Sequence, residues 1–454
     1  MTLTRSIVSG RNIALVFTVA VAVRIVCMLV THSILGVPAF LAEDSAAYLR
    51  MATELRHGVS LLGFDGSADY DASVMPLTVF LMAATGSDAA GAMGYILLQS
   101  LVDAGSCVLI GLLVSAFLPN RFLMGGMLAA FNPTQIVVAG LVLTDSIFFF
   151  FSMAALLLLV SSARETARPG TIAKGFVLGG ALGLACLSRS AIVPWLPIAV
   201  ILFFILETRK TTVIRGAASA LAVILVVLLA LAPVLHRNYQ RYGEFVITAQ
   251  AGAHLLYWIT PLVADFSGAG EFAAVQDTAR ERLEQRLAGA GKPVAALEND
   301  RVMTSVAVDM LKEYGPGRIG IAWLSGAALN LGLPAITISP AFRALPHSSF
   351  YETPGDNIAD KILTFVLADQ NRSYVAAILV AGLLTLLWVI AIPIGLWNLR
   401  KENIFAVLVV LTWFGFTLAI NGPVASPKYR LPLEGGWILF VVAALPRRRI
   451  GKWA

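Results

Sequence analysis

Ten apolar runs leave this chain few ways to fold: residues 13–30, 93–118, 122–142, 147–160, 176–187, 191–206, 217–235, 374–397, 404–420 and 431–445. A helix needs about 20 apolar residues to cross the hydrocarbon core of a bilayer. No water reaches that core, so a spanning segment must bond its own N–H and C=O groups, which a helix does. Composition agrees, with 58% hydrophobic and only 13% charged residues. A soluble chain would carry about a quarter charged residues. The expectation is an all-α polytopic membrane protein with about 10–12 spans in one integral membrane unit, residues 1–454. The first run is long and lacks a small-residue cleavage site, so it reads as a retained span.

Basic residues set the expected orientation. Arg5 and Arg11 precede the first run, and Arg121, then Arg164, Arg168 and Lys174, then Arg209, Lys210 and Arg215 occupy alternate loops. Arg400, Lys401, Arg447, Arg448, Arg449 and Lys452 complete the set. Cytoplasmic loops collect Lys and Arg, which makes these loops and both termini cytoplasmic. The net charge of +6 therefore follows from topology. No basic run is interleaved with aromatics, and no nucleic-acid partner is expected. Two long external segments follow, residues 31–92 and 236–373. The first is acidic, with Glu43, Asp44, Glu54, Asp65, Asp69, Asp71 and Asp88. Within the second, 271–287 and 302–314 have helical periodicity and are expected to lie amphipathically on the bilayer. Parity makes 319–333 re-entrant or surface-lying, unless 334–342 crosses with it. Cys27, Cys107 and Cys186 sit inside apolar runs at irregular spacing, and packing is their expected role.

Charged residues beside apolar runs need a reason, since carboxylates and guanidinium groups near lipid are costly unless paired or solvated. Asp44 follows the first run, with Glu43 before it and Tyr48 one helical turn beyond. Asp44 can cap the following helix or serve as a general base; Glu43 can equally be a surface residue. Asp145, after Thr144, has the same two readings. Arg189, Arg237 and the Lys428-Tyr429-Arg430 cluster fall on the expected outer side, where the positive-inside tendency does not explain them. Each can snorkel to a headgroup, and together they suit a phosphate, arginine being favoured for bidentate contacts. His254, Tyr257 and Trp258 read as interfacial anchors or, for the aromatics, as a sugar platform. Arg24, inside the first run, should face the bundle interior and a partner acid.

Taken in order, these pieces resemble the membrane glycosyltransferases of the GT-C fold, in particular the bacterial branch related to protein mannosyltransferases and lipid A aminoarabinose transferases. Asp44 through Tyr48 and Ala52 to Gly58 looks like the first-loop acidic motif, and Met75-Pro76-Leu77 like its proline turn. Phe131-Asn132-Pro133 leading to Thr144-Asp145 is similar to the second acidic motif. Residues 179–187 with Ser188-Arg189-Ser190 resemble a glycine-rich element ending in arginine. Arg237-Asn238-Tyr239 through Gly243 to Val246 is the most specific stretch, and Lys428-Tyr429-Arg430-Leu431-Pro432 resembles the closing basic motif. Asp145 stands where glutamate is common, Ser190 where proline is usual, and Glu434 lies beside the closing motif.

The resemblance implies inverting transfer of a sugar from a polyprenyl-phosphate carrier to a lipid, glycan or protein acceptor at the outer face of the inner membrane. Asp44 would act as base, with Asp145 orienting the acceptor or a metal and Glu43 beside them. Arg189, Arg237 and Arg430 would hold the donor phosphate with help from Lys428, and Tyr48 and Tyr239 would contact substrate. A divalent ion, Mg or Mn, bridging carboxylate and phosphate is compatible with oxygen ligands, although no ligand set is visible. The rivals are a transporter or flippase of lipid-linked sugars, a polymerase or ligase, and a scaffold. A transporter would usually show repeats or broken spans in matched halves, and no repeat is apparent.

Overall fold

The computed structural model describes residues 8–58, 72, 74–88, 91–165, 172–288, 296–350 and 352–446. Arg5, Asp65, Asp69, Asp71, Arg168, Arg447, Arg448, Arg449 and Lys452 lie outside them. The described residues are mainly helical, with one isolated bridge between Asp88 and Gly91 as the extended pairing. The chain begins with α1 (Gly10–Leu35), α2 (Ser45–Arg56), α3 (Pro76–Ala84), α4 (Met93–Phe117), α5 (Phe122–Ala130) and α6 (Pro133–Ala139). It continues through α7 (Asp145–Arg164), α8 (Ile172–Ser188), α9 (Leu196–Thr208) and α10 (Val213–Tyr242). A long segment between α10 and the last spans holds α11 (Ala251–His254), α12 (Thr260–Phe266), α13 (Phe272–Ala288), α14 (Ala296–Gly332), α15 (Pro340–Arg343) and α16 (Ile358–Leu367). The bundle closes with α17 (Arg372–Leu399), α18 (Ile404–Asn421), α19 (Pro427–Arg430) and α20 (Glu434–Ala444).

Each of the ten apolar runs is helical, so this is an all-α polytopic membrane protein. Among the described residues seven helices are long and apolar enough to cross alone, α9 counted with the 3-10 turn Ser190–Trp195 that leads into it, and the bent pair α5–α6 makes an eighth. The other two are shorter: α8 has 17 residues and α20 has 11. Helices α4 and α7 sit at the centre of one large apolar core with α5, α8, α18 and α20 around them. Helices α8 and α10 touch closely through Gly175, Gly179 and Gly183; a Cβ at Gly179 would fall 2.8 Å from the Val223 carbonyl. Small residues in this spacing are how helices approach in lipid.

One end of the bundle gathers basic loops. Arg121 donates to the Val442 carbonyl at 2.6 Å and Arg164 pairs with Glu402 at 3.4 Å. Lys174 pairs with Glu165, and Arg209 lies over Phe405. The loops expected to be cytoplasmic thus share one end of the molecule.

At the other end the segment from α11 to α16 corrects one expectation. Helix α13 and the first part of α14 turn their apolar stripes toward each other and α12, enclosing Val275, Ala279, Leu283, Val306 and Met310. Their exposed sides carry ion pairs, Arg282 with Glu313 and Arg286 with Asp309. The periodicity at 271–287 and 302–314 therefore serves a protein core rather than lipid. Residues 319–333 continue α14 beyond a bend at Gly315, whose φ of +76° suits glycine, followed by Pro316. This stretch packs on the end of α18, where the Trp323 indole donates to the Ala419 carbonyl at 3.1 Å.

Candidate functional site

The turn before α7 is built with unusual redundancy. Helix α5 ends before Asn132-Pro133, where proline starts α6 and the Asn132 side chain caps it, accepting from the Gln135 N–H at 3.0 Å. The two helices meet at 50°. Residues 141–144 then form a buried, non-helical turn whose carbonyls need partners in a dry interior. Gln99 donates to Leu141 O at 2.6 Å, Ser45 to Val142 O at 2.7 Å and Tyr95 to Leu143 O at 2.6 Å. The Val142 N–H donates to Phe40 O at 2.9 Å. These bonds join the segment between α1 and α4 to the turn, so Asp44 and Asp145 arrive at one place although 101 residues apart (145 − 44).

A cavity of about 650 Å³ opens there, and Asp44, Tyr48, Asp145, Arg189, His254 and Lys428 are among its lining. Asp44 occupies the N-cap position of α2, but its side chain makes no capping bond. It is half-exposed and faces the Lys428 ammonium at 3.9 Å. The capping alternative is thus not the one used here. Asp145 is buried in the first turn of α7 and pairs with Arg189. The Arg189 guanidinium also lies 5.8 Å from the centre of the Tyr429 ring, and Lys428 lies 5.1 Å from that centre. Behind the cations is a small, mainly apolar recess that includes Phe148, Trp413, Phe416 and Ile420.

Electrostatics fit an anion. Burial opposes the charge on Lys428, but Tyr429, Asp145 and Asp44 outweigh it and raise its pKa. His254 shifts the other way, lowered first by burial and then by Arg189, which keeps its ring neutral at pH 7. Burial and Asp44 raise Tyr48, so its phenol keeps its proton.

Other expected site residues are placed differently. Arg430 is buried and does not line the cavity. It bonds Glu434 at 3.1 Å, Thr134 Oγ1 at 2.9 Å and the carbonyls of Leu333 and Asn330 at 2.5 and 3.3 Å. Glu434 in turn accepts from Asn132 at 2.8 Å. Arg430 thus ties α14, α6 and α20 together, with its donors directed to protein rather than phosphate. Arg237 is also buried outside the lining, donating to Asn238 Oδ1 at 2.9 Å. Asn238 donates to Val246 O at 2.7 Å, and Tyr239 stacks on Phe245 with centroids 4.4 Å apart. Phe245 and Val246 line the cavity, so this motif supports the wall from behind. Glu43 is exposed and outside the lining.

Asn421, the last residue of α18, and Gln250 line the cavity without having been singled out, because neither is charged nor part of a motif. The acid facing Arg24 is Asp103, with the Arg24 Nε 2.6 Å from its carboxylate. Among the described residues no group of three or more His, Cys, Asp or Glu side chains is arranged to hold a metal ion.

No protein-family model matches the chain, and no curated protein does either. A solved structure of ArnT from Cupriavidus metallidurans bound to undecaprenyl phosphate is similar over 95% of this chain and 78% of its own. The identity is 14% and the TM-score 0.40, so the likeness carries no argument about activity.

Proposed function

We propose that this cavity moves a sugar from a polyprenyl-phosphate carrier to a hydroxyl of a lipid, glycan or protein acceptor, on a GT-C type helical bundle. The observation that carries the proposal is the meeting of two carboxylates and two cations around one cavity at one mouth of the bundle. Asp44, half-exposed and uncapped, takes the proton from the acceptor hydroxyl, the task of a general base. The acceptor oxygen then attacks the anomeric carbon while the bond to the phosphate oxygen breaks. The phosphate leaves with the bonding pair, and Arg189 and Lys428 stabilise its charge. A phosphate needs cations rather than a protonated acid to depart, so one carboxylate suffices as base. A single displacement with an opposed base inverts the anomeric centre.

Asp145 fixes the Arg189 guanidinium, and the neutral His254 and Tyr48 offer hydrogen bonds to hydroxyl groups. The apolar recess beside the cations suits the first carbons of the prenyl chain. The concentration of Arg and Lys at the opposite end supports an outer-face site and a cytoplasmic basic face. Asp44 and Asp145 already face Lys428 and Arg189, and among the described residues no third carboxylate lines the cavity.

The test uses purified full-length protein in vesicles containing a polyprenyl-phosphate sugar and candidate acceptors. Release of free polyprenyl phosphate with a glycosylated product supports transfer. Intact lipid appearing in the opposite leaflet, with no release, would identify a flippase instead.

A further inference from the structure

Helix α16 is amphipathic in the wrong sense for a surface facing water. Its Lys361 points inward and is 2% exposed, held between both oxygens of the Asp265 carboxylate at 3.0 and 2.9 Å. Phe365 is also inward, packed with Tyr374 and Val375. The outward positions include Ile362, Leu363, Val366 and Leu367, with Leu367 69% exposed, and Asp360 and Thr364 flank them. Positions i, i+1, i+4 and i+5 share one side of a helix, so these four side chains make one apolar stripe. A buried ion pair is costly to assemble, and four exposed aliphatic residues gain nothing from water.

The position of α16 says what covers the stripe. Asn371, just before α17, donates to the Phe365 carbonyl at 2.8 Å, and Tyr374 of α17 packs on Phe365. Helix α17 has 28 residues, which at 1.5 Å each gives about 42 Å. The hydrocarbon core is about 30 Å thick, so the ends of α17 reach the headgroup layers. Asp369 and Arg372, both highly exposed and paired at 2.8 Å, mark the watery level beside its start. Farther along, Leu379, Val380, Leu383, Leu384 and Leu387 face outward, continuing an apolar exterior into the membrane.

We propose that α16 is seated in the headgroup boundary of the bilayer at the cavity end, with Ile362, Leu363, Val366 and Leu367 among the lipid chains. Lys361 and Asp265 clamp this helix to α12. Helix α12 follows a π-helical turn, Leu255–Ile259, directly after His254 of the cavity wall. One wall of the cavity is thus linked to lipid through α12 and α16.

The test is spin labelling in phosphatidylcholine–phosphatidylglycerol vesicles. Leu363→Cys and Leu367→Cys are made separately in full-length protein carrying Cys27→Ser, because Cys107 and Cys186 are buried. Glu284→Cys, on the exposed side of α13, supplies the water-facing reference. Collision with oxygen relative to a water-soluble nickel chelate should be several-fold higher at 363 and 367 than at 284. A ratio at or below that of 284 overturns the proposal. Exclusion of both reagents also overturns it, because a second protein copy would then cover the stripe. Neither labelled position enters the cavity, so the result does not depend on whether transfer occurs.

Discussion

Two arginine–carboxylate pairs in this molecule do opposite things. Arg24 meets Asp103 between α1 and α4, and its remaining donors go to Ala20 O, Ala130 O, Cys107 and Gln135. Arg189 meets Asp145 at the mouth, but one side of its guanidinium is open to a cavity, and Lys428 stands nearby with a half-exposed acid opposite. The first pair is closed on protein and holds helices together. The second keeps capacity for an outside anion. Charge near a membrane therefore does not identify a site by itself; the direction of the donors does. Arg430 belongs with Arg24 by this criterion, despite being two residues from Lys428.

The contrast breaks most sharply at Asp44. Asp44→Asn should lower transfer by about 10²–10⁴-fold with the melting temperature unchanged, read by product formation and thermal unfolding. Retention of more than a tenth of the activity would remove Asp44 from the role of base. Arg24→Ala should do the reverse, costing about 3–5 kcal/mol of stability by leaving Asp103 buried and unpaired. The folded fraction should still turn over, a result that activity per monodisperse molecule would check. Lys428→Ala should raise the KM for the lipid-linked donor about tenfold, equivalent to ~1.4 kcal/mol of binding. An unchanged donor saturation curve would take Lys428 out of the phosphate site.

Tyr95→Phe removes one bond to the Asp145 turn and should cost about 1–3 kcal/mol, the usual penalty for a buried group left unpaired. The smallest effect belongs to His254. Its folded pKa lies below the ordinary 6.5, so the folded state takes up its proton less readily than the unfolded chain. Stability from this group is therefore complete above about pH 6.5 and is lost as pH falls through the lowered folded value. His254→Gln should flatten that acid-side decline in melting temperature, and an unaltered slope would exclude the linkage.

Hydropathy made the helices legible, because each run of apolar side chains carries its own reason to be helical in lipid. Asp44, Asp145, Arg189 and Lys428 were legible because charges beside such runs stand out. Asp103 was not, since its partner is 79 residues away. The burial of Arg430 depends on Thr134, Glu434 and carbonyls of α14, none of which a local pattern connects to it. The stripes on α13 and α14 have a period that fits lipid or protein equally; only the neighbouring helix decides.

The interruption at Asn132-Pro133 also has a consequence for helix phase. Adding one residue to an unbroken helix turns everything beyond it by about 100°. Here the second half begins afresh at a proline and is pinned by Asn132 to Glu434 and by Thr134 to Arg430. A change of helix phase upstream in Phe122–Ala130 is thus not passed through this break to the Asp145 turn, and α5 is held by its own close packing, Gly125 against Val114 and Gly126 against Val16.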